Sequence, residues 1–145
     1  MPVYIHTVYT DFQTPSQQNL SQFVEALIKR ENKEPGSVNI IFTDNEEVFA
    51  LNSRYLNHHY YTDVLAFPYS ENGPVEGDIF ISLDKVYENS LDYDTEFENE
   101  LLRVLIHGVL HLIGYDDLTS PEQQHMHHLE NRYLEWYYLY YRSII

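Results

Sequence analysis

Two histidines four residues apart, with a glycine and an aspartate at fixed distances beyond them, are the residues of this sequence best suited to chemistry. They lie in HGVLHLIGYDD, residues 107–117. Residues four apart on an α-helix differ by about 40° and rise about 6 Å, so His107 and His111 can bind one ion. Gly114 can end the helix and let the chain turn back, which brings Asp117 towards that ion. Three ligands on a small ion leave a position open, so the pattern predicts a catalytic metal site.

Alternatives to these ligands are also present. Asp116 could be the third ligand, although the offset from Gly114 favours Asp117. His125 and His128 could form a second site, but they flank a predicted apolar stripe and indicate a solvated helix face. Because the chain has no cysteine, a transition-metal site must be built from histidine, carboxylate and backbone oxygen ligands.

The spacing HxxxHxxGxxD also occurs on the metal-site helix of metzincin peptidases. Those enzymes place a glutamate directly after the first histidine as general base, and this chain has Gly108 there. Glycine cannot accept a proton, so a metallopeptidase is disfavoured. A phosphodiester beside a ribose carries its own nucleophile, the 2′-hydroxyl, and asks less of the protein. A metal would then stabilise charge on phosphorus or activate water.

Length and composition indicate one globular domain over residues 1–145. The chain has 145 residues, of which 43% are hydrophobic, and this is enough for a buried core. No apolar run reaches the roughly 18 residues of a membrane span, and the N-terminus lacks the basic and apolar regions of a signal peptide. We therefore expect a cytoplasmic protein without membrane contact.

The net charge restricts how the protein could bind nucleic acid. It is -15, with only 8 lysines and arginines, whereas nucleic-acid binders usually present a basic face. Long-range attraction of RNA by the protein alone is therefore disfavoured. Phosphate contacts would come from a bound cation, local basic residues or a partner surface.

Periodicity predicts an α+β fold with one sheet, because strands come first and long helices last. Predicted strands cover residues 2–10, 37–44, 63–69 and 78–83, and predicted helices cover residues 20–32, a segment after Asp44, residues 84–89, residues 95–113 and a segment after Ser120. Thr95 with Glu98 forms a capping-box pattern, and Ser120 before Pro121 resembles a helix start. The two histidines fall on the fourth helix.

The motif HGVLHLIGYDD resembles the signature HGxLHLxGYDH of the YbeY family of bacterial metal-dependent endoribonucleases, and departs from it only at the last residue. LNSRYLNHHYYTDVLAFPY, residues 51–69, is similar to the family segment LNxxYRxxxxxTDVLSFP. GDIFIS, residues 77–82, is similar to its strand GDIxIS. The resemblance extends from about Val38 to the last helix.

The resemblance implies a small domain in which a mixed sheet, expected to have four strands, packs with about five helices. It implies one divalent ion held by three side chains, here His107, His111 and Asp117, with zinc as the expected metal. It also implies cleavage of single-stranded RNA in small-subunit ribosomal RNA maturation and ribosome quality control. The expected partners are ribosomal RNA, the small subunit and ribosome-associated proteins.

Three departures from the family pattern alter these expectations. The serine of TDVLSF is Ala66, which removes one hydroxyl near the expected cleft. The third histidine is replaced by Asp117, whose negative charge weakens the Lewis acidity of the ion and makes manganese, iron or nickel plausible beside zinc. The arginine of the family's YR is Leu56, so Arg54, His58 or His59 would have to contact the substrate in its place.

Two further residues have candidate roles near the metal. Arg103 lies one turn before His107, where it could act in catalysis by binding substrate phosphate or could orient a carboxylate. An ion pair with Glu100 is the alternative for Arg103, and water on the metal is the other candidate catalyst. Asp78 opens a strand and could orient a ligand histidine, or it is a plain turn carboxylate.

The sequence therefore predicts a metal-dependent endoribonuclease. The second hypothesis is a non-catalytic ribosome-assembly factor that binds RNA and in which the metal is mainly structural. The acidic charge and the missing arginine favour that alternative.

Overall fold

The computed structural model describes residues 3–8, 12–59 and 61–142, which form four strands and five helices around one sheet. The strands are β1 (Val3–Thr7), β2 (Pro35–Thr43), β3 (Val64–Pro68) and β4 (Val75–Ser82), and the helices are α1 (Gln17–Arg30), α2 (Asn45–Leu56), α3 (Leu83–Asp92), α4 (Phe97–Ile113) and α5 (Ser120–Tyr140). Within the described part of the chain, no helix is long and apolar enough to cross a membrane.

The sheet is mixed, with the strand order β1-β2-β4-β3. β1, β2 and β4 are parallel, whereas β3 runs antiparallel to β4. The register places Val64 opposite Ile81 and Ala66 opposite Ile79. Because side chains alternate along a strand, these four residues face the same side of the sheet. Ile79 and Ile81 are fully buried there, so this side forms the core.

Helix α4 lies in the middle of the molecule. It is apolar on nearly every side, and its buried residues are Glu100, Leu101, Leu102, Val104, Leu105, Ile106, Gly108, Val109, Leu110 and Leu112. A helix that is hydrophobic all round must be covered on all sides. β3 and β4 contact one side of α4, and α1, α3 and α5 cover the others. His107 and His111 therefore lie on a helix that is packed against the sheet and three other helices.

Two glycines allow α4 to lie close to the sheet. A Cβ atom at Gly108 would lie 3.0 Å from methyl groups of both Val64 and Ile79. A Cβ atom at Gly77 would lie 2.6 Å from the Leu112 side chain and 2.4 Å from a backbone oxygen of β3. Gly108 thus has a packing role, in addition to occupying the position of the peptidase general base.

The predicted α+β class, four-stranded mixed sheet and five helices are confirmed. The first predicted strand corresponds to β1, although residues 2, 9 and 10 of that prediction lie outside the described part of the chain. The predicted capping box at Thr95 is wrong, because α4 follows Glu96 and has no side-chain cap. At the start of α5, the capping residue is Thr119, which is extended and forms a capping box with Glu122, whereas Ser120 is already helical.

Candidate metal centre

His107, His111 and Asp117 meet at the C-terminal end of α4. The Nε2 atoms of the two histidines are 3.0 Å apart. Oδ2 of Asp117 lies 3.3 Å from His107 Nε2, and Oδ1 lies 3.4 Å from His111 Nε2. Gly114 ends the helix with φ 128°, a conformation that favours glycine, and the chain after it returns Asp117 to the histidines. The structure thus brings together the three ligands predicted from the sequence.

These donor atoms fit one small divalent cation. With bonds of about 2.0–2.1 Å, tetrahedral coordination separates neighbouring donors by roughly 3.3 Å, and octahedral coordination separates adjacent donors by about 3.0 Å. Two imidazole nitrogens and a carboxylate oxygen at such distances require a proton or a cation between them. Among the described residues, this is the group of histidine and acidic side chains whose ligand atoms converge within 4.8 Å.

A buried glutamate of α5 supports the first histidine. Glu130 is 6% exposed, and its Oε2 lies 2.7 Å from Nδ1 of His107. Its other oxygen accepts a hydrogen bond of 3.0 Å from Nη1 of Arg103, whose Nη2 donates a 2.7 Å bond to Asn131. Arg103, His107 and Glu130 therefore form a continuous polar chain next to the ligand atoms.

Electrostatics around His107 favour its protonated form when no ion is bound. Burial lowers the pKa of His107. The hydrogen bond to Glu130, the charge of Glu130 and the nearby carboxylates of Asp117 and Asp63 raise the pKa, and they prevail. The surroundings of this imidazole thus attract positive charge, which a proton or a metal cation can supply.

The three ligands lie in an open cleft between α4, α2 and β3. The cleft has a volume of about 590 Å³. It is lined by Asn52, Leu56, His58, Thr62, Asp63, Val64, Leu65, Ala66, His107, Gly108, His111 and Asp117. No lysine or arginine is among these lining residues. The cleft is large enough to admit a small ligand. With no lysine or arginine in its lining, a bound cation would be its main source of positive charge.

The three candidate substrate-contacting residues lie in different surroundings. His58 lines the cleft. His59 is exposed and is not among the lining residues. Arg54 is also exposed, and its guanidinium lies 5.9 Å from the centre of the Tyr55 ring. Of the three, only His58 is in the cleft, together with Leu56, which occupies the position of the family arginine.

Arg103 is outside this cleft and faces a neighbouring cavity of about 430 Å³. Its bonds to Glu130 and Asn131 match the second role that the sequence left open, the orientation of a carboxylate. Glu100, the alternative ion-pair partner, is buried, and burial raises its pKa although Arg103 acts in the opposite direction.

Asp78 does not support a ligand histidine. Its Oδ1 accepts hydrogen bonds from Tyr69 at 2.5 Å and from Asn39 at 3.2 Å. Because Asp78 is adjacent to Ile79 in β4, its side chain points to the sheet face opposite α4. Successive side chains of a strand point to opposite faces of the sheet. The side chain of Asp78 is therefore on the other side of the sheet from the metal centre.

The alternative metal ligands are not in the group of converging ligand atoms. Asp116 is exposed and lines an adjoining cavity that His111 also lines. His128 is exposed on α5, and His125 packs against the Tyr115 ring with centroids 5.6 Å apart.

Sequence reasoning missed Glu130. The signal was present, because this carboxylate lies within the apolar stripe of α5 between Met126, Leu129 and Tyr133, all of which are buried. A charged residue in a buried stripe requires a partner. Spacing does not reveal which residues Glu130 contacts, because His107 and Arg103 precede it by 23 and 27 residues.

Comparison with known proteins identifies relatives over most of the chain. The family model described as Endoribonuclease YbeY matches residues 5–138. Proteins named endoribonuclease YbeY are 39% identical over 129 residues in Flavobacterium psychrophilum, covering 89% of this chain and 92% of the relative, and 41% identical over 125 residues in Karelsulcia muelleri, covering 86% and 89%. The solution structure of a Thermotoga maritima protein superposes with a TM-score of 0.66 at 31% identity, covering 92% of this chain and 87% of the other.

Proposed function

The chain belongs to the YbeY family of endoribonucleases, and we propose that it is a metal-dependent endoribonuclease that cleaves single-stranded RNA. The observation that carries this proposal is the convergence of His107, His111 and Asp117 within an open cleft. Three protein ligands would leave at least one coordination position of a bound ion free, as a catalytic site requires. The family gives the class of reaction, and the convergence of the three side chains supports the residues that we assign to it.

The side chains divide the work of the site. His107 and His111 offer Nε2 lone pairs and Asp117 offers a carboxylate oxygen, so together they would hold one divalent ion. The ion, when bound, supplies a Lewis acid that stabilises charge on the phosphate. We propose zinc as the metal, with manganese, iron or nickel as alternatives because one ligand is a carboxylate.

The family carries the substrate class, and one difference from zinc peptidases agrees with it. The residue after the first histidine is Gly108, so the glutamate that activates water in those peptidases is absent at this position. RNA instead carries a 2′-hydroxyl next to the phosphate, and we assign His58, the histidine of α2's C-terminal loop, to contact the substrate near that group.

We further propose that the substrate is small-subunit ribosomal RNA, cleaved during maturation and quality control of the ribosome in the cytoplasm. With a net charge of -15, the protein repels free RNA at long range. Basic ribosome-associated proteins can provide the attraction that this chain lacks. The small subunit and its proteins are therefore the proposed partners.

A second function is favoured by the absence of lysine and arginine from the cleft lining. In this alternative the chain is a ribosome-assembly factor that binds RNA or protein and whose metal is mainly structural. The two functions differ in a single observable, which is whether the purified protein breaks an RNA chain.

The test is single-turnover cleavage of a single-stranded RNA by the metal-loaded protein. We expect cleavage that disappears when the metal is removed and returns when zinc or manganese is restored. A substrate of the same sequence with 2′-deoxyribose at the cleavage position should resist. A loaded protein that binds small subunits but leaves every RNA intact would support the assembly factor.

The matched variants are the pair His107→Ala/His111→Ala and the single change His128→Ala. The pair removes two of three ligands, so both metal content and cleavage should be lost. His128 is exposed outside the cleft, and its removal should change neither. Unchanged metal content in the paired variant would refute the site.

A further inference from the structure

We infer that Glu130, held in place by Arg103, is a positioning residue that fixes the tautomer and ring orientation of His107 for metal binding. The inference rests on the proposed metal site and extends it to two residues outside the ligand set. It also gives Arg103 a function that does not involve contact with the substrate.

The hydrogen-bond chemistry of His107 defines the tautomer. An ionised carboxylate only accepts hydrogen bonds, so at the 2.7 Å contact between Nδ1 and Glu130 the imidazole must donate. A neutral imidazole with its proton on Nδ1 carries its lone pair on Nε2. Nε2 is the atom that faces His111 at 3.0 Å and Asp117 at 3.3 Å. Glu130 thus directs the lone pair to the ion.

Arg103 holds the Glu130 carboxylate in the orientation that faces His107. A buried carboxylate is costly unless it is paired and hydrogen-bonded. Arg103 donates to Oε1 at 3.0 Å and leaves Oε2 for His107. The second bond of Arg103, to Asn131 at 2.7 Å, fixes the plane of the guanidinium. Since Arg103 and His107 are four apart on α4, and Glu130 and Asn131 are adjacent on α5, the packing of two helices sets the whole chain of contacts.

The two ligand histidines are supported unequally. Within the described residues, no carboxylate contacts Nδ1 of His111 in the way that Glu130 contacts His107. The ring of His111 is instead set by its edge-on contact with His107, at 4.5 Å between centroids. An error in the orientation of His107 therefore disturbs both nitrogen ligands.

The experiment measures zinc affinity by competition with a chromogenic chelator, without RNA. Glu130→Gln keeps the shape but can present an amide N–H to Nδ1, which favours the wrong tautomer. We expect affinity to fall by about 10- to 100-fold. The control is Glu98→Gln, which removes a different glutamate from an arginine pair, the one with Arg142 at 3.3 Å. This control should bind zinc as the parent does.

Arg103→Gln tests the second link of the chain. Its zinc affinity should fall by about tenfold, near the lower end of the expected range. Combined with Glu130→Gln, it should add little to the loss, because both changes break the same chain. Losses that multiply would show that Arg103 acts independently of Glu130.

Nitrogen NMR of the metal-free parent gives a readout that needs no variant. At a pH where His107 is neutral, its proton should be on Nδ1, and Glu130→Gln should shift it partly to Nε2. A parent with the proton on Nε2, or a folded Glu130→Gln protein with parental zinc affinity, would overturn the inference. Failure of the metal site itself is distinguishable, because the parent would then bind no zinc.

Discussion

At the scale of single residues, Asp117 is the side chain that distinguishes the proposed metal centre from the family signature. It offers a carboxylate oxygen where the signature has an imidazole, and its oxygens lie 3.3 and 3.4 Å from the two histidine nitrogens. A carboxylate oxygen is a harder ligand than imidazole and also offsets part of the cation's charge. We therefore expect the site to tolerate manganese better than a site with three histidines would.

The variant Asp117→His tests this interpretation through metal selectivity. We expect it to retain zinc and to lower the affinity for manganese relative to zinc by on the order of tenfold, because imidazole suits zinc better than manganese. The measurement is paired titration of both ions into parent and variant. Asp92→His is the control, since Asp92 is exposed at the end of α3 and lines neither the cleft nor the cavity next to it. Loss of zinc from Asp117→His, or a change of selectivity in the control, would contradict the assignment.

The sequence predicted the three candidate ligands but not Glu130, the carboxylate that contacts His107. His107 and His111 are related by helix geometry, and Gly114 brings Asp117 back within a few residues, so local spacing was sufficient. Glu130 reaches His107 only because α4 and α5 pack together. The orientation of Asp78 depended on strand alternation, which became evident only once the sheet register placed Ile79 against α4.

At the scale of elements, the contact of α4 with β3 and β4 fixes where the histidines stand. Gly108 faces Val64 and Ile79, and both methyl groups would be 3.0 Å from an added Cβ atom. Alanine improves helix propensity by about 1 kcal/mol, whereas overpacking costs about 1–3 kcal/mol. We expect Gly108→Ala to lower the free energy of unfolding by about 1 kcal/mol, as measured by urea denaturation.

Adding Val64→Ala to Gly108→Ala tests whether the contact between residue 108 and Val64 causes the loss of stability. It creates space on one side of the added methyl group, so the double variant should be more stable than the sum of the single effects predicts. If Gly108→Ala stabilises the protein, or if the two changes are additive, the close helix contact is not limiting.

The start of α5 gives a further prediction at this scale. Thr119 accepts a hydrogen bond from the backbone N–H of Glu122, and Glu122 accepts one from the backbone N–H of Thr119. Removal of such a cap costs about 1 kcal/mol. Thr119→Ala should therefore lower the unfolding free energy by about that amount, while Ser120→Ala, one residue inside the helix, should have a much smaller effect. Equal losses in both variants would contradict the capping assignment.

The periodicity of apolar residues predicted the helices and strands well, because an element with one buried face must place its apolar residues at regular intervals. The apolar stripe of α1 and the alternation in β4 both follow directly from one buried face. The strand order and the partners of each edge depend on contacts between distant segments, and for these the sequence alone supplied only the resemblance to a family. The capping box predicted at Thr95 is absent because the N-cap of α4 is one residue later, at Glu96, and the Thr95 hydroxyl donates to the side chain of Asn99 instead.

At the scale of the whole molecule, Glu31 connects segments that are far apart in the sequence. Its carboxylate accepts hydrogen bonds from Tyr115 at 2.5 Å and from Tyr133. The bond to Glu31, followed by burial and the charge of Glu31, raises the pKa of Tyr115 to about 12. Burial and then the same carboxylate raise the pKa of Tyr133. The contact links α1, the loop of the metal motif and α5.

These raised pKa values predict a loss of stability at alkaline pH. Above the ordinary tyrosine pKa of 10.0, the unfolded chain releases protons that the folded chain keeps, so the free energy of unfolding falls as pH rises from about 10 towards 12. The full contribution is present below pH 10. In Glu31→Gln the tyrosine pKa values return towards normal, so the stability difference from the parent should shrink over this range. Urea unfolding at several pH values measures it.

Glu34→Gln is the control for the alkaline prediction. It removes the same charge three residues further on, where the side chain is exposed. Its stability difference from the parent should not depend on pH between about 9 and 12. A parent and Glu31→Gln variant whose difference stays constant with pH would contradict the role of Glu31.

The net charge of -15 affects how fast the protein associates with RNA and how this rate depends on salt. A basic protein with 6–10 phosphate contacts to double-stranded DNA loses about 10³–10⁵ in affinity between 50 and 200 mM salt, and the loss is somewhat smaller for single strands. Here protein and RNA repel each other, and salt screens the repulsion. We expect the second-order rate constant for cleavage of free RNA to be constant or to rise over this range.

Leu56→Arg provides the sharpest version of this experiment. It places the family's arginine in the cleft, whose lining includes Leu56 but no basic side chain. One new phosphate contact should raise the rate constant at low salt and change the slope of its logarithm against the logarithm of salt by about -0.7. Leu91→Arg makes the same charge change at a residue that is 63% exposed on α3, and it should leave the slope near the parental value. Equal slopes in the two arginine variants would mean that the cleft is not the path of the RNA. A parental slope as steep as that of a basic protein would mean that local cations outside the cleft outweigh the net charge.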